Sequence, residues 1–197
     1  MEHSADGVHV VPPATITSDE QRREIELVLA QVAQAKPQAE WHRTHPTLDI
    51  YDVSIDLPDN SSPYKSFISG SLDGTRGADD VELTVGMFDV HKDLQQKGIG
   101  TRLLQALATE GVKYDAKRLF GHVTSLSALK TRARVFGAEN LRFFSYNPQT
   151  REKTPLAITY EQALAESEAK GKVDYGVEVD LTHLDTTGWE QAEDVTK

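Results

Sequence analysis

From Val90 to Leu104 the chain reads Val-His-Lys-Asp-Leu-Gln-Gln-Lys-Gly-Ile-Gly-Thr-Arg-Leu-Leu, and no other run limits the possible folds as sharply. The residues before it, Val81 to Val90, have the composition and alternation of a strand. After it, Ile99, Leu103, Leu104 and Leu107 fall on one face of a helix that has Gly111 near its end. A strand therefore feeds a helix through a loop with two glycines one residue apart. Glycine lets the backbone approach a ligand closely, and the unpaired amides of a first helical turn carry the positive end of the helix dipole. Such a loop predicts an anion site; taken alone, the same glycine pair also makes a tight strand-to-helix turn.

The flanking segments give this loop its context. Val8–Val11 reads as a short strand before Pro12-Pro13, and Thr17 or Ser18 can cap a helix with Glu20 and Gln21 placed for a capping box. Ile25, Val28, Leu29 and Val32 form that helix's apolar stripe, which ends before Pro37. Period-two segments follow at 48–55 and 64–72, closed by Pro58-Asp59-Asn60-Ser61 and Asp73-Gly74, and with 81–90 they predict an antiparallel meander. Arg118–Val123 reads as a strand parallel to the one ending at Val90, because a strand, helix and strand in sequence make a crossover. A helix with Leu126, Leu129, Ala133 and Phe136 along one side leads to a strand at 141–146 and a turn at Asn147-Pro148. A helix at 160–170 stopped by Gly171 and a strand at 173–181 complete the pattern. The expectation is one α+β domain over 1–184, a mixed central sheet flanked by helices, followed by an acidic, flexible tail at 185–197 that contains Trp189.

Composition removes several function classes. The 197 residues suit one sizeable core, and 38% hydrophobic content is enough for it to collapse. With 21 Lys and Arg against 31 Asp and Glu, the net charge of -10 disfavours nucleic acid and mildly favours cationic amines. The absence of Cys excludes disulfides, thiolate metal sites and a cysteine nucleophile. No apolar run reaches the roughly 20 residues of a membrane span, and Met1–Asp6 lacks the segments of a signal peptide, so a cytoplasmic protein without a membrane partner is expected.

The pattern Gln-x-x-Gly-x-Gly, carried by Gln95, Gly98 and Gly100 with Val90 before it and Leu103-Leu104 inside the helix, resembles the acyl-CoA signature of the GCN5-related N-acetyltransferases. The resemblance is sharp over 81–107 and continues elsewhere as element order. That family's order is a strand, one or two helices, three antiparallel strands, the signature helix, a parallel strand, another helix and two last strands. The reading above matches it, with one extra helix before the final strand.

The resemblance implies acetyl-CoA as cosubstrate, no metal, and direct attack of a primary amine on the thioester in a ternary complex. The acceptor would be a small-molecule or peptide amine; oligomeric state is open, a homodimer included. It implies that Gln95, Gln96, Lys97, Gly98, Ile99, Gly100 and Thr101 hold the pyrophosphate. Phe88, Asp89 and Val90 would pair with the pantetheine arm where the strands splay, and Ser127, at the start of the following helix, would also bind the coenzyme. A base must take the ammonium proton: Glu82, on the signature strand, is the first candidate, with His91 and Asp89 next and His122 weaker. Relatives often carry a Tyr acid in the helix after the parallel strand, about where Phe136 stands here. Phe136 reads as core, which leaves Tyr146 as a replacement acid. A non-catalytic CoA-binding or interaction module is the alternative.

Overall fold

The computed structural model describes residues 37–45, 48–55, 66–73, 81–147 and 149–189, with single positions between 19 and 35. Its centre is one eight-stranded sheet in the order β1-β2-β3-β4-β5-β8-β6-β7. The strands are β1 (Gln38–His45), β2 (Leu48–Ile55), β3 (Ser66–Asp73), β4 (Glu82–Asp89), β5 (Arg118–Val123), β6 (Arg142–Asn147), β7 (Glu152–Leu156) and β8 (Tyr175–Asp180). β2 to β4 form the expected antiparallel meander, β1 extends it by a fourth antiparallel strand, β4 and β5 are parallel, and every later pairing is antiparallel. The mixed sheet with flanking helices is the one that the family resemblance implies, and from β2 onward the elements follow that family's order, with β1 and β7 added to it and Tyr160–Lys170 as the extra helix before the final strand.

Three helices are described by full bounds: α1 (Ile99–Lys113), α2 (Leu126–Phe136) and α3 (Tyr160–Lys170). α1 lies against β1 to β4 and buries Ile99, Leu103, Leu104, Leu107, Ala108 and Gly111, the stripe its sequence period predicts. Gly111 is a packing residue, because a β-carbon there would stand 2.6 Å from Leu83 Cδ2. α2 is capped by Ser125, whose hydroxyl accepts from Ala128 N, and α3 by a Thr159/Gln162 capping box. Gly171, at φ 63°, ends α3 as the sequence predicts.

Described positions from Asp19 to Gln31 are helical, in line with the first predicted helix, while its stripe of Ile25, Val28, Leu29 and Val32 lies outside the described residues. So do Val8–Val11, the capping-box residues Glu20 and Gln21, and the turns at 58–61 and 74–79. Two strands depart from the sequence reading. β1, of sequence QAEWHRTH, and β7, of sequence EKTPL, are the two edges of the sheet; β1 alternates only through Ala39 and Trp41, and β7 has no apolar alternation. Edge strands form on backbone pairing with one neighbour, so they need no such alternation, and Pro155 is tolerated there for the same reason. Of the tail at 185–197, only residues 185–189 are described. Turns at Asp180-Leu181-Thr182 and Asp185-Thr186-Thr187, in which the aspartate carboxylates accept from the amides of Thr182 and Thr187, lead Trp189 back to the core, where its ring packs edge-on against Phe136 at 6.2 Å.

The sheet presents two unlike faces. Leu83, Val85, Leu119, Gly121, Val123, Tyr175, Val177 and Val179 form the buried helical side. Glu82, Thr84, Arg118, Phe120 and His122 point to the other side by alternation. Lys153 of β7 reaches Glu82 of β4 at 2.7 Å, although four strand spacings in a flat sheet would separate them by about 19 Å. The β6–β7 hairpin therefore curls over this second face and walls it on one side.

Candidate functional site

The parallel pairing of β4 with β5 stops early. Its register runs from Glu82↔Arg118 to Val85↔Gly121 and no further, although β4 continues to Asp89 and β5 to Val123. Beyond that point β4 stays with β3, through Ile68↔Phe88 and Phe67↔Asp89, and β5 stays with β8, through His122↔Gly176 and Val123↔Tyr175. The two strands part like a V with its vertex at Val85 and Gly121. A bulge in β4 accompanies the split: Gly86 and Met87 together oppose Ser69, whose hydroxyl accepts from Met87 N at 2.9 Å. A β-carbon on Gly86 would come within 3.0 Å of that hydroxyl.

The glycine loop stands at the open end of the V. Residues Lys92–Leu94 make a 3-10 turn, Gln95 Nε2 donates to the Val90 carbonyl at 3.2 Å, and Gln96 turns the chain at φ 64°. Gly98, at φ 77°, is the N-cap of α1 and offers no side chain to its first turn. The first intrahelical bond runs from Arg102 N to Gly98 O at 3.1 Å, so the amides of Ile99, Gly100 and Thr101 have no partner among the described residues. They face outward with the dipole's positive end. A cleft of about 740 Å³ beside them is lined by Lys97, Gly98, Thr101, Arg102, Lys113 and Arg134 among others, and Glu110 is its single acidic residue among those described. In a chain of net charge -10 this is a local reversal of sign.

The two glycines have different tasks. A β-carbon at Gly98 would meet nothing within 4 Å, but its positive φ favours glycine. At Gly100 a β-carbon would lie 3.3 Å from Phe88 Cζ and 3.5 Å from Val90 Cγ2. Gly100 thus seats the helix on the end of β4, and Phe88 and Val90 supply that seat. Gln95, Gln96 and Lys97 are exposed around the loop, Ile99 is buried beneath it, and Asp89 is exposed on the last paired step of β4. Ser127 is exposed in the first turn of α2, its hydroxyl 3.3 Å from that of Ser125.

The acid and base candidates separate into three places. Glu82 lies on the closed side of the vertex; Lys153 Nζ stands 2.7 Å from both its oxygens, Thr84 Oγ1 donates to it at 3.3 Å, and Arg118 Nε is 3.9 Å away. His91 leaves β4 toward β3, its amide donating to the buried Ser66 hydroxyl at 3.0 Å. Tyr146 stands with Phe120 at 5.0 Å and with His122 at 5.4 Å, measured between ring centroids. His122 is the residue immediately after Gly121, so it sits at the opening of the V on the face that the hairpin walls. Its Nε2 lies 2.8 Å from Asp174 Oδ1, and Lys172 Nζ is 2.6 Å from that carboxylate's other oxygen. The Lys172 ammonium first, and His122 second, hold the Asp174 carboxyl below the usual carboxylate range. Phe136 is buried and packs with Trp189, as a core residue does.

Sequence reasoning ranked His122 low and did not find Asp174 or Lys153. His122 and Asp174 are 52 residues apart and meet only because β5 and β8 are neighbours. Among the described residues no cluster of three or more His, Asp or Glu side chains could hold a metal ion, and no helix is long and apolar enough to cross a membrane.

A meander, a parallel pair split at its middle, and a helix start with three unpartnered amides at the open end together make the mixed α+β arrangement that the family resemblance implies. No family model and no curated protein matches the sequence. Solved structures similar to this chain include an acetyltransferase from Bacillus cereus, at 10% identity over 91% of this chain and 97% of that one, with a TM-score of 0.44. The ribosomal-protein-S18-alanine N-acetyltransferase from Escherichia coli shares 12% identity over 83% of this chain and 92% of its own, with a TM-score of 0.40. An aminoglycoside 6'-N-acetyltransferase complexed with coenzyme A shares 12% over 85% and 83%, with a TM-score of 0.37. Overlap at that level carries neither residues nor activity over to this chain.

Proposed function

We propose that this protein transfers an acyl group, acetyl in the simplest case, from coenzyme A to a primary amine by direct attack in a ternary complex. The observation that carries the reading is the pairing of a strand split after Val85 and Gly121 with three unpartnered helix amides at its open end. The pyrophosphate is read onto the amides of Ile99, Gly100 and Thr101 with Lys97 beside them, and the pantetheine amides onto the free edge of β4 from Gly86 to Val90. An extended arm of about a dozen bonds spans roughly 15 Å at the reach per bond of extended polypeptide. The five residues from Val90 to Val85 span about 17 Å, so the thioester arrives near the vertex.

There the amine nitrogen attacks the thioester carbon, the carbon–sulfur bond breaks, and coenzyme A leaves as thiolate. The ammonium proton must first be removed. Of the candidate bases, His122 fits best. A carboxylate acceptor at Nε2 selects the tautomer that carries its proton there, which leaves Nδ1 as the acceptor. Asp174 fills that orienting part, and the Tyr146 hydroxyl, which has no partner among the described residues, is the group available to return a proton to the thiolate. Glu82 is assigned to structure, because both of its oxygens are already held by Lys153. The acceptor is read as a small-molecule or peptide amine, for which the acidic surface is favourable.

The test is release of free thiol from acetyl-CoA across a broad amine panel, together with the melting temperature in CoA. A ligand that binds only the native state stabilises by about 2.7 kcal/mol at 100 times its dissociation constant. Saturable CoA binding without turnover on any amine would favour a non-catalytic module, and no melting shift at all would remove the coenzyme from the account.

A further inference from the structure

The interior holds a charge that the reading above does not use. Arg132, in the middle of α2, is 2% exposed and is the largest fully buried side chain of the described residues. It makes no hydrogen bond or ion pair with any of them, and its Nε is closed off without an acceptor. Burial alone lowers its pKa to about 10. At neutral pH it is still a cation.

Its position is specific. A β-carbon on Gly121 would stand 2.5 Å from Arg132 Nη2 and 3.0 Å from Val85 Cβ. The guanidinium therefore lies directly under the last paired residues of β4 and β5, at the vertex of the V, and the bare backbone of Gly121 makes the space for it. An uncompensated charge in a protein interior is costly, and the usual remedy is a partner. The chain has 31 Asp and Glu to draw on, yet none of the described ones is near enough to pair. An anion brought by a ligand would supply that partner, and the part of an acyl-CoA that reaches the vertex is its acyl end. An acetyl methyl would offer the guanidinium nothing. A carboxylate would meet its planar fork of donors in two parallel bonds.

We propose that the preferred donor is the CoA thioester of a dicarboxylic acid, its free carboxylate held by Arg132 beneath Gly121. This rests on the coenzyme reading and narrows the acyl group. It balances as before: the same carbon–sulfur bond breaks, and the free carboxylate is a spectator that passes to the product amide.

The experiment measures dissociation constants of CoA, acetyl-CoA, malonyl-CoA and succinyl-CoA for the full chain and for Arg132→Met and Arg132→Lys. In the parent, malonyl-CoA or succinyl-CoA should bind at least about tenfold more tightly than acetyl-CoA, the order of one charge-assisted contact. Arg132→Met should erase that preference while CoA itself binds nearly as before, and without ligand it should melt no lower than the parent. Arg132→Lys, which keeps the charge and loses the fork, should shrink the preference and serves as the variant if the Met protein does not fold. Equal affinity of the parent for all three thioesters would overturn the proposal while leaving the coenzyme reading intact, and so would a preference that survives both substitutions. No binding of any of the four ligands would overturn the coenzyme reading and this proposal with it.

Discussion

Lys153 Nζ stands 2.7 Å from each carboxylate oxygen of Glu82 and 3.7 Å from the centroid of the Phe120 ring. One ammonium thus ties β7 to β4 across the intervening strands and holds the β6–β7 hairpin over the face that carries His122 and Tyr146.

This contact separates two roles for Glu82. With side chains 17% and 26% exposed, the pair is screened only in part, and Glu82→Gln should cost about 1–2 kcal/mol, less than a fully buried pair. In a double-mutant cycle with Lys153→Met, denaturant midpoints should reveal a coupling between the two. A Glu82→Gln protein as stable as the parent but with its turnover lost would return the base to this strand.

His122 and Asp174 should fail together in rate and not in fold. Loss of a positioned base typically costs about 100-fold or more, so His122→Gln should fall by that order and Asp174→Asn by less. The double variant should be little slower than His122→Gln alone. The Asp174 carboxyl is held below its usual range, first by Lys172 and then by His122. Its contribution to stability is therefore present above the unfolded pKa and is lost as pH falls through the lowered folded value. The midpoint difference between parent and Asp174→Asn should accordingly be full at neutral pH and vanish in acid.

The glycines of the loop should respond differently. Gly98→Ala places a residue with a β-carbon at φ 77°, at a cost of about 1–2 kcal/mol, and should blunt the CoA melting shift where the loop cannot hold its shape. Gly100→Val drives atoms into Phe88 and Val90, so it should lower the melting temperature even without ligand. Scanning calorimetry with and without CoA distinguishes them; a Gly100→Val protein as stable as the parent would show that its packing task is overstated.

Trp189 should matter to the core. Its contact with Phe136 predicts that Trp189→Ala lowers stability, by about 0.5–1.5 kcal/mol for the aromatic pair beyond the area lost. Phe136→Ala, which opens a cavity at a buried position, should cost about 3–5 kcal/mol. Denaturant midpoints of the two single variants and the double variant check both figures.

The sequence alone determined what local periodicity can encode. The stripe of α1, the stop at Gly171 and the alternation of β3 to β5 follow from residues a few positions apart, and so does the glycine loop that opens α1. The edge strands β1 and β7 left little such mark, Ala39 and Trp41 being the one alternating pair, because their pairing is made by backbone and asks little of the side chains. Everything that distinguishes one carboxylate, imidazole or guanidinium from another was decided by the tertiary structure. Glu82 became an ion-pair partner because the hairpin curls back over β4. His122 gained Asp174 because β8 inserts beside β5, and Arg132 came to lie under Gly121 because α2 packs beneath the point where two strands part. Such contacts join residues tens of positions apart, and their strength depends on distance and burial, which only the packed chain specifies.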